Sequence, residues 1–241
     1  MRKGIWRIYE SSKQTLDSAT LREESIYGPR ITEDCNDCRL CLSVCPVHAI
    51  ELRPSVSVDL GRCIYCKDCL STCPQDAISF DNPCISSASK QGLKGSDDSA
   101  SFSALQNDIR KKLGRSLAIR VVDAGSCNAC LSEASALSNP IYDLERFGIK
   151  VVASPRHADL LLVCGPVTDN MIQGLRRAYE AMPEPRMVAA MGSCSISGGL
   201  FSDSPVCKKG LEAVLPVDLY IPGCPPSTSR LATALRSLLD S

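Results

Sequence analysis

At 241 residues the chain is long enough for one large domain or two modest ones. Lys plus Arg and Asp plus Glu both number 27, and a net charge of zero gives the whole molecule no electrostatic case for nucleic acid or an anionic membrane. The apolar share of 44% is ordinary for a globular protein, but 15 cysteines with only 5% aromatic residues is not.

The opening stretch MRKGIWRIYESSKQ has neither the apolar run of a signal peptide nor a twin arginine. No window reaches about 18 consecutive apolar residues, the length a membrane span needs. The chain is therefore expected in the cytoplasm, where clustered cysteines bind metal more often than they pair as disulfides. Residues 1–30 read as an N-terminal extension.

An internal repeat comes next. CNDCRLCLSVCPVHAIEL, from Cys35, recurs as CIYCKDCLSTCPQDAISF, from Cys63. All four cysteines and the next proline keep the same offset, and a short strand is predicted after each copy, at 49–52 and 77–80. The spacing Cys-x2-Cys-x2-Cys-x3-Cys-Pro is that of bacterial two-cluster ferredoxins, in which the fourth cysteine of each run ligates the other cluster. One loop can wrap three corners of a cubane, while the fourth cysteine faces the opposite way. This assigns Cys35, Cys38, Cys41 and Cys73 to one 4Fe-4S cluster, and Cys63, Cys66, Cys69 and Cys45 to a second. Pro46 and Pro74 fix φ, lack an N–H and turn the chain away. Paired zinc sites, the competing reading, use two Cys-x2-Cys pairs rather than two four-cysteine runs. Residues 32–82 resemble the two-cluster ferredoxin family throughout, which places a small α+β domain at 31–83. Cys84 falls outside the ligand set.

Residues 84–115, which include ISSASKQGLKGSDDSASFS, read as a serine-rich linker. The linker ends in a short helix with Leu105, Ile109 and Leu113 on one face and Gly114 as its stop. Residues 31–83 carry eight acidic and four basic side chains, whereas 84–116 carry six basic and three acidic; the first figure suits an acidic electron-transfer module.

From 116 to 241 apolar runs alternate with helical patterns: SLAIRVVD, IKVVASP, ADLLLVCG, RMVAAMGS and VDLYIPG. Near-continuous apolar runs are expected of parallel strands buried on both faces. A helix with Met171, Leu175, Tyr179 and Met182 in one stripe lies between the third and fourth, and STSRLATALRSLLDS closes the chain as a capped amphipathic helix. The class expected is a doubly wound, flavodoxin-like α/β domain with a parallel sheet.

In such sheets, sites form beyond the carboxyl ends of the strands. Cys127 and Cys130 follow the first run, Cys164 ends the third, Cys194 follows the fourth and Cys224 the fifth. Five cysteines thus share one predicted rim, where four suffice for a cubane. Glycines in GSC, GSC and PGCPP let backbone N–H groups approach inorganic sulfide. Cys164 closes a buried aliphatic run and reads as a small hydrophobe. Cys207, expected at a helix start, is also left out.

GSCNACLSE, NPIYDLERFGIKVVASPRHADLLLVCGPVTDNM, AAMGSCSISGGLF and VDLYIPGCPP together resemble a superfamily of electron-transfer subunits. It includes the small subunit of membrane-bound, energy-converting NiFe hydrogenases of the formate hydrogenlyase type and the homologous subunit of respiratory complex I. The resemblance implies that Cys127, Cys130, Cys194 and Cys224 hold a proximal 4Fe-4S cluster facing a large partner subunit, which brings the cofactors to three 4Fe-4S clusters. It also implies a proton-transfer role for Glu133, against the simpler reading of an ordinary helix carboxylate. The family usually has threonine where Cys164 stands. Complex I relatives typically carry adjacent cysteines at the first pair and the hydrogenases Cys-x-x-Cys, so Asn128 and Ala129 favour the hydrogenase branch. Ala129, Leu131 and Ser132 depart from the hydrogenase pattern, which usually has glycine and Asp-Ile there.

His48, His157 and Arg156 read as turn or interface residues, and no G-x-G-x-x-G follows a strand, so no nucleotide site is supported. The expectation is an iron–sulfur electron-transfer subunit, not catalytic alone. It would work beside a NiFe-hydrogenase-like or complex I-like large subunit, further iron–sulfur and integral membrane subunits and a soluble electron donor or acceptor, peripherally on the cytoplasmic face of a membrane. The alternatives are a quinone-reducing complex I-like subunit and a non-catalytic redox or regulatory protein.

Overall fold

The computed structural model describes residues 27–239 apart from 53–55, 83, 115 and 126; most of the 1–30 extension lies outside the described residues. The repeat is written into the backbone. Asp37, Arg39 and His48 have left-handed φ values of 55°, 67° and 49°, and Tyr65, Lys67 and Asp76, each 28 residues later, have 61°, 68° and 49°. Such conformations are uncommon for residues with a Cβ, so their recurrence means both loops are bent the same way. Each loop runs into a one-turn helix, α1 (Leu40–Val44) and α2 (Asp68–Thr72).

Strand β2 (Ile50–Glu51) pairs antiparallel with β3 (Ser57–Val58). Strand β4 (Ile78–Asn82) pairs antiparallel with β1 (Gly28–Ile31), placing Ile31 opposite Ile78. The strands after both repeats occur as expected. β1 is not anticipated, because its Gly-Pro opening reads as a turn and only pairing with distant β4 makes it a strand.

The serine-rich segment is not a free tether. Ser87 exchanges two backbone hydrogen bonds with Tyr220 (Ser87 N–H to O, 3.0 Å; Tyr220 N–H to O, 2.8 Å). The Asp98 carboxylate accepts from Ser87 Oγ (2.5 Å), Ala88 N–H (2.6 Å), Ser89 N–H (3.1 Å) and Ser89 Oγ (2.8 Å). Lys94 reaches Glu51 at 2.8 Å and Asp59 at 3.6 Å, and Lys90 reaches Glu212 at 2.7 Å. Helix α3 (Ser99–Leu113) then packs Ile109 into the core and ends at Gly114. Polar composition alone suggests solvation; Asp98 instead gathers the segment into a strap joining both halves.

All five apolar runs are strands of one parallel sheet: β5 (Leu117–Asp123), β6 (Ile149–Val151), β7 (Leu160–Cys164), β8 (Met187–Met191) and β9 (Leu219–Ile221), in the order β6-β5-β7-β8-β9. Alternate residues point to opposite faces. Leu160, Leu162 and Cys164 join a core with Leu231 and Leu235 of α7 (Thr228–Ser237). Leu161 and Val163 join the other core, with Leu175 of α5 (Asp169–Glu180) and Val47, Ala49 and Leu60 of the ferredoxin half. One hydrophobic core therefore crosses the boundary between the halves. Helix α7 is capped by Ser227, which accepts from Arg230 N–H, as its sequence suggests. It is not simply amphipathic: Thr228 through Leu235 are all buried.

Candidate iron–sulfur sites

Two small apolar hollows lie in the ferredoxin half. Cys35, Cys38, Cys41 and Cys73 line one, with Ile31, Val56, Ala77 and Ile78. Cys45, Cys63, Cys66 and Cys69 line the other, with Val47, Ala49, Ile50, Val58 and Ile64. These are the two exchanged sets expected from the spacing. Ala49 N–H donates to Cys45 Sγ (3.2 Å) and Ala77 N–H to Cys73 Sγ (3.4 Å), and Tyr65 N–H donates to Cys63 Sγ (3.4 Å). The bond from Tyr65 favours negative charge on the Cys63 sulfur.

The third group stands on the carboxyl rim of the parallel sheet. Cys127 and Cys130 follow β5, with Cys130 in the first turn of α4 (Ala129–Ser135). Cys194 lies in α6 (Ser193–Ser197), directly after β8, and Cys224 follows β9. Asn128 takes φ 69° between the first two, a left-handed bend asparagine accepts more readily than most residues. Gly192 has φ +85°, and a Cβ there would fall 2.8 Å from Cys130 Sγ; one on Gly199 would fall 3.0 Å from Cys194 Sγ. The rim is thus shaped around sulfur, with side chains absent where they would intrude.

Electrostatics tests whether iron fits. Burial, then like charge on Cys164, Cys194, Cys224 and Cys127, pushes the Cys130 thiol far up. Burial, then Cys224 and Cys127, pushes Cys194 up to about 11. Burial, partly offset by the Tyr65 N–H, pushes Cys63 up to about 12, with Cys69, Cys45 and Cys66 adding to the rise. Crowded thiols of this kind ionise together only around a cation, and a coordinating metal deprotonates them. Among the described residues, no three His, Cys, Asp or Glu side chains form a site for a single metal ion. Four thiols line each ferredoxin hollow, the other three rim thiols are close enough to act on Cys130, and four cysteine thiolates are the donor set of a 4Fe-4S cluster, so the residues fit that group.

Cys164 is fully buried at the end of β7, with its thiol 3.7 Å from the Val122 carbonyl. Cys207 makes a bridge with Thr168 rather than starting a helix as expected, since Lys208 N–H bonds the Val167 carbonyl and holds this loop extended. Cys84 Sγ sits 3.9 Å from the Ser86 carbonyl. His48 lies in the irregular stretch before β2, with a left-handed φ of 49°, and Arg156 and His157 lie in a short 3-10 helix, Pro155–His157. Glu133 is engaged: its carboxylate accepts from Thr228 N–H (2.7 Å) and Thr228 Oγ1 (2.5 Å) at the start of α7. It also lines a cavity of about 330 Å³ with Cys224, Tyr65 and Arg230.

Several residues here carry no sequence signal of their own. Ser193 Oγ donates to the Cys63 carbonyl (2.5 Å) and lies 3.2 Å from the Gly223 carbonyl. Ser197 Oγ donates to the Gly61 carbonyl (3.0 Å). Arg230 Nη1 donates to the Tyr65 hydroxyl (2.9 Å) and the Pro222 carbonyl (3.0 Å). These bonds bring the second cysteine loop of the ferredoxin half against the rim. Only the place of Ser193 beside Cys194 hints at its part.

Residues 127–238 match the family described as NADH ubiquinone oxidoreductase, 20 Kd subunit, and residues 34–77 the 4Fe-4S dicluster domain. A probable membrane-bound hydrogenase subunit of Pyrococcus furiosus is 47% identical over 116 residues, 48% of this chain and 70% of that protein. Formate hydrogenlyase subunit 7 of Escherichia coli is 45% identical, over 53% of this chain and 50% of its own length. Subunit K of a Picosynechococcus NAD(P)H-quinone oxidoreductase is 49% identical, over 45% of each chain. The chain therefore spans half or less of the latter two relatives, and identity alone does not separate hydrogenase from quinone relatives. The four rim cysteines stand within the matched region of a chain that belongs to the 20 kDa-subunit family of iron–sulfur electron-transfer subunits of oxidoreductase complexes, here joined to a 4Fe-4S dicluster ferredoxin domain.

Proposed function

We propose that the chain holds three 4Fe-4S clusters and carries electrons through them to or from a NiFe catalytic large subunit, in proton reduction or hydrogen oxidation. The observation that carries this reading is the docking of the second cysteine loop on the rim, with Ser193 bonded to the Cys63 carbonyl and adjacent in sequence to Cys194. When bound, such clusters supply one-electron chemistry over potentials of about −700 to +450 mV set by their surroundings. The chain's own part is to hold the three sites in fixed relation and to keep them in apolar surroundings. Cys127, Cys130, Cys194 and Cys224 hold the proximal cluster in this reading. Exposure of Cys127 and Cys224 leaves that site open to a partner.

The wider assignment runs along the same lines. Residues 31–83 form the ferredoxin domain, 84–115 the connecting strap and 116–241 the proximal-cluster domain. The order β6-β5-β7-β8-β9 is that of flavodoxin-like doubly wound sheets, which supports that fold type. No helix among the described residues is long and apolar enough to cross a membrane, so we assign association with the cytoplasmic face to integral membrane subunits of the complex. Glu133, on the groove beside Cys224, is assigned proton transfer toward the partner.

A quinone-reducing complex is the second reading, favoured by the 49% identity to a quinone oxidoreductase subunit and opposed by the Cys-x-x-Cys spacing. The test is affinity isolation of the intact complex, with metal analysis and dye reduction under hydrogen. Nickel with hydrogen-dependent activity is expected; a nickel-free complex that reduces quinone would overturn the hydrogenase assignment. Fewer than about twelve irons per chain, the content of three such clusters, would overturn the three-cluster reading.

A further inference from the structure

Cys164 stands outside the four rim cysteines yet among them. It is the last residue of β7, opposite Asp123 of β5 and Met191 of β8, so it lies on the carboxyl rim that carries the site. Its side chain joins the core that holds Cys130, and it is fully buried. After burial, the strongest influence on the Cys130 thiol is like charge on Cys164, ahead of Cys194, Cys224 and Cys127. Charge on Cys127 also reaches Cys164, after burial and Asp123. Such interactions fade with distance, so the five thiols form one group. Packing alone does not call for sulfur here, since an aliphatic side chain would fill the place without adding a thiol. The hydrogen bond that holds the Cys164 thiol, to the Val122 carbonyl at 3.7 Å, is weak, and a sulfur donor gives it up at little cost.

We propose that Cys164 is a reserve ligand of the rim site, placed to take over the iron held by Cys130. The proposal rests on the reading that Cys127, Cys130, Cys194 and Cys224 hold a 4Fe-4S cluster. In the exchange the bond from iron to Cys130 Sγ breaks and one to Cys164 Sγ forms. The proton of the Cys164 thiol passes to the released Cys130 thiolate. No electron moves, so neither oxidant nor reductant is needed. A thiolate is the ligand before and after, and coordination itself drives the incoming thiol to deprotonate. The room comes from Cys130: the two side chains share one core, so removing one sulfur leaves a void for the other. Gly192, where a Cβ would fall 2.8 Å from Cys130 Sγ, adds no side chain to fill that void. Each ferredoxin hollow is lined by its four thiols, and those two sites serve as internal references.

The test is iron analysis of the full, cluster-loaded chain, with electron paramagnetic resonance of the reduced protein. The wild-type chain is expected to hold about twelve irons. Cys130→Ala is expected to keep about twelve, with the rim signal shifted by its new ligand. The double variant Cys130→Ala/Cys164→Ala is expected to fall to about eight, with the rim signal lost and both ferredoxin signals kept. A fall to about eight in Cys130→Ala itself would overturn the proposal, because no thiol then replaced the missing one. Retention of about twelve in the double variant would overturn it as well, because retention would not depend on Cys164. Should the double variant fail to fold, Cys130→Ala/Cys164→Val takes its place, and the ferredoxin signals in each sample report folding. Loss of all three signals in both double variants would also overturn it, by marking Cys164 as a fold-wide packing residue. A wild-type chain with about eight irons refutes the three-cluster reading instead, so the two failures are distinguishable.

Discussion

Ser193 and Cys63 join the halves of the molecule at one atom: the Ser193 hydroxyl donates to the Cys63 carbonyl at 2.5 Å across 130 residues of sequence. The hydroxyl is buried, and its neighbour Cys194 belongs to the rim set. Removing a buried donor leaves its acceptor unsatisfied, at a cost of about 1–3 kcal/mol. Ser193→Ala is accordingly expected to lower chemical-denaturation stability by that amount. The paramagnetic coupling between the two nearest sites should weaken as the seam loosens. A variant with unchanged stability and coupling would show that the seam is held elsewhere.

Exchange of the fourth cysteine has a direct consequence. Cys73 lines the hollow of Cys35, Cys38 and Cys41, while Cys45 lines that of Cys63, Cys66 and Cys69. Cys73→Ser should therefore remove the signal of the first site although it alters the second repeat, and Cys45→Ser the reverse. Each should cost up to about four irons of about twelve. Loss of the signal belonging to the altered residue's own repeat would refute the exchange.

The grouping of the ferredoxin cysteines was legible because spacing encodes it: chain reach dictates what a four-cysteine run can wrap, and β7 and β8 read as buried because every residue in them is apolar. The seam was not legible. Tyr65 occupies an unconstrained position between Cys63 and Cys66, and Arg230 is an arginine in a helix whose sequence looks amphipathic. Their hydrogen bond spans 165 residues, and only the docked fold turns a polar face into a buried one. Asp98 was hidden differently, since serine-rich composition suggests solvation until one carboxylate collects four donors.

Asp98 makes the strap sensitive to acid. Burial alone would raise its pKa, but hydrogen bonds from Ser87, Ser89 and Ala88 outweigh it and hold the carboxyl below the ordinary carboxylate value. A group with a depressed folded-state pKa contributes stability above its unfolded value, about 3.9, and loses it as pH falls through the folded value. Asp98→Asn should therefore flatten the acid limb of the stability profile below about pH 4 and lower stability at neutral pH. If the acid limb is unchanged, the strap does not depend on this charge.

Glu133 has two assignments that one substitution separates. As a cap it accepts two hydrogen bonds from Thr228, which an amide oxygen can also accept. Glu133→Gln should keep stability within about 0.5 kcal/mol. It should slow turnover of the intact complex about a hundredfold, the lower end for loss of an acid–base group. Full activity in this variant would leave the carboxylate a helix cap alone.

Asn128 carries the gap between the two rim cysteines. Its left-handed φ of 69° costs a branched residue about 1–2 kcal/mol, whereas glycine adopts it freely. Asn128→Gly should therefore keep the full iron content. Asn128→Val should strain the turn that presents Cys127 to Cys130 and selectively weaken iron retention at the rim. The ferredoxin sites provide the control within the same sample, because their own left-handed residues are untouched. Equal iron loss from all three sites would mean that Asn128 supports the fold rather than this turn, and full retention in Asn128→Val would mean that the bend is not required for the pair to bind.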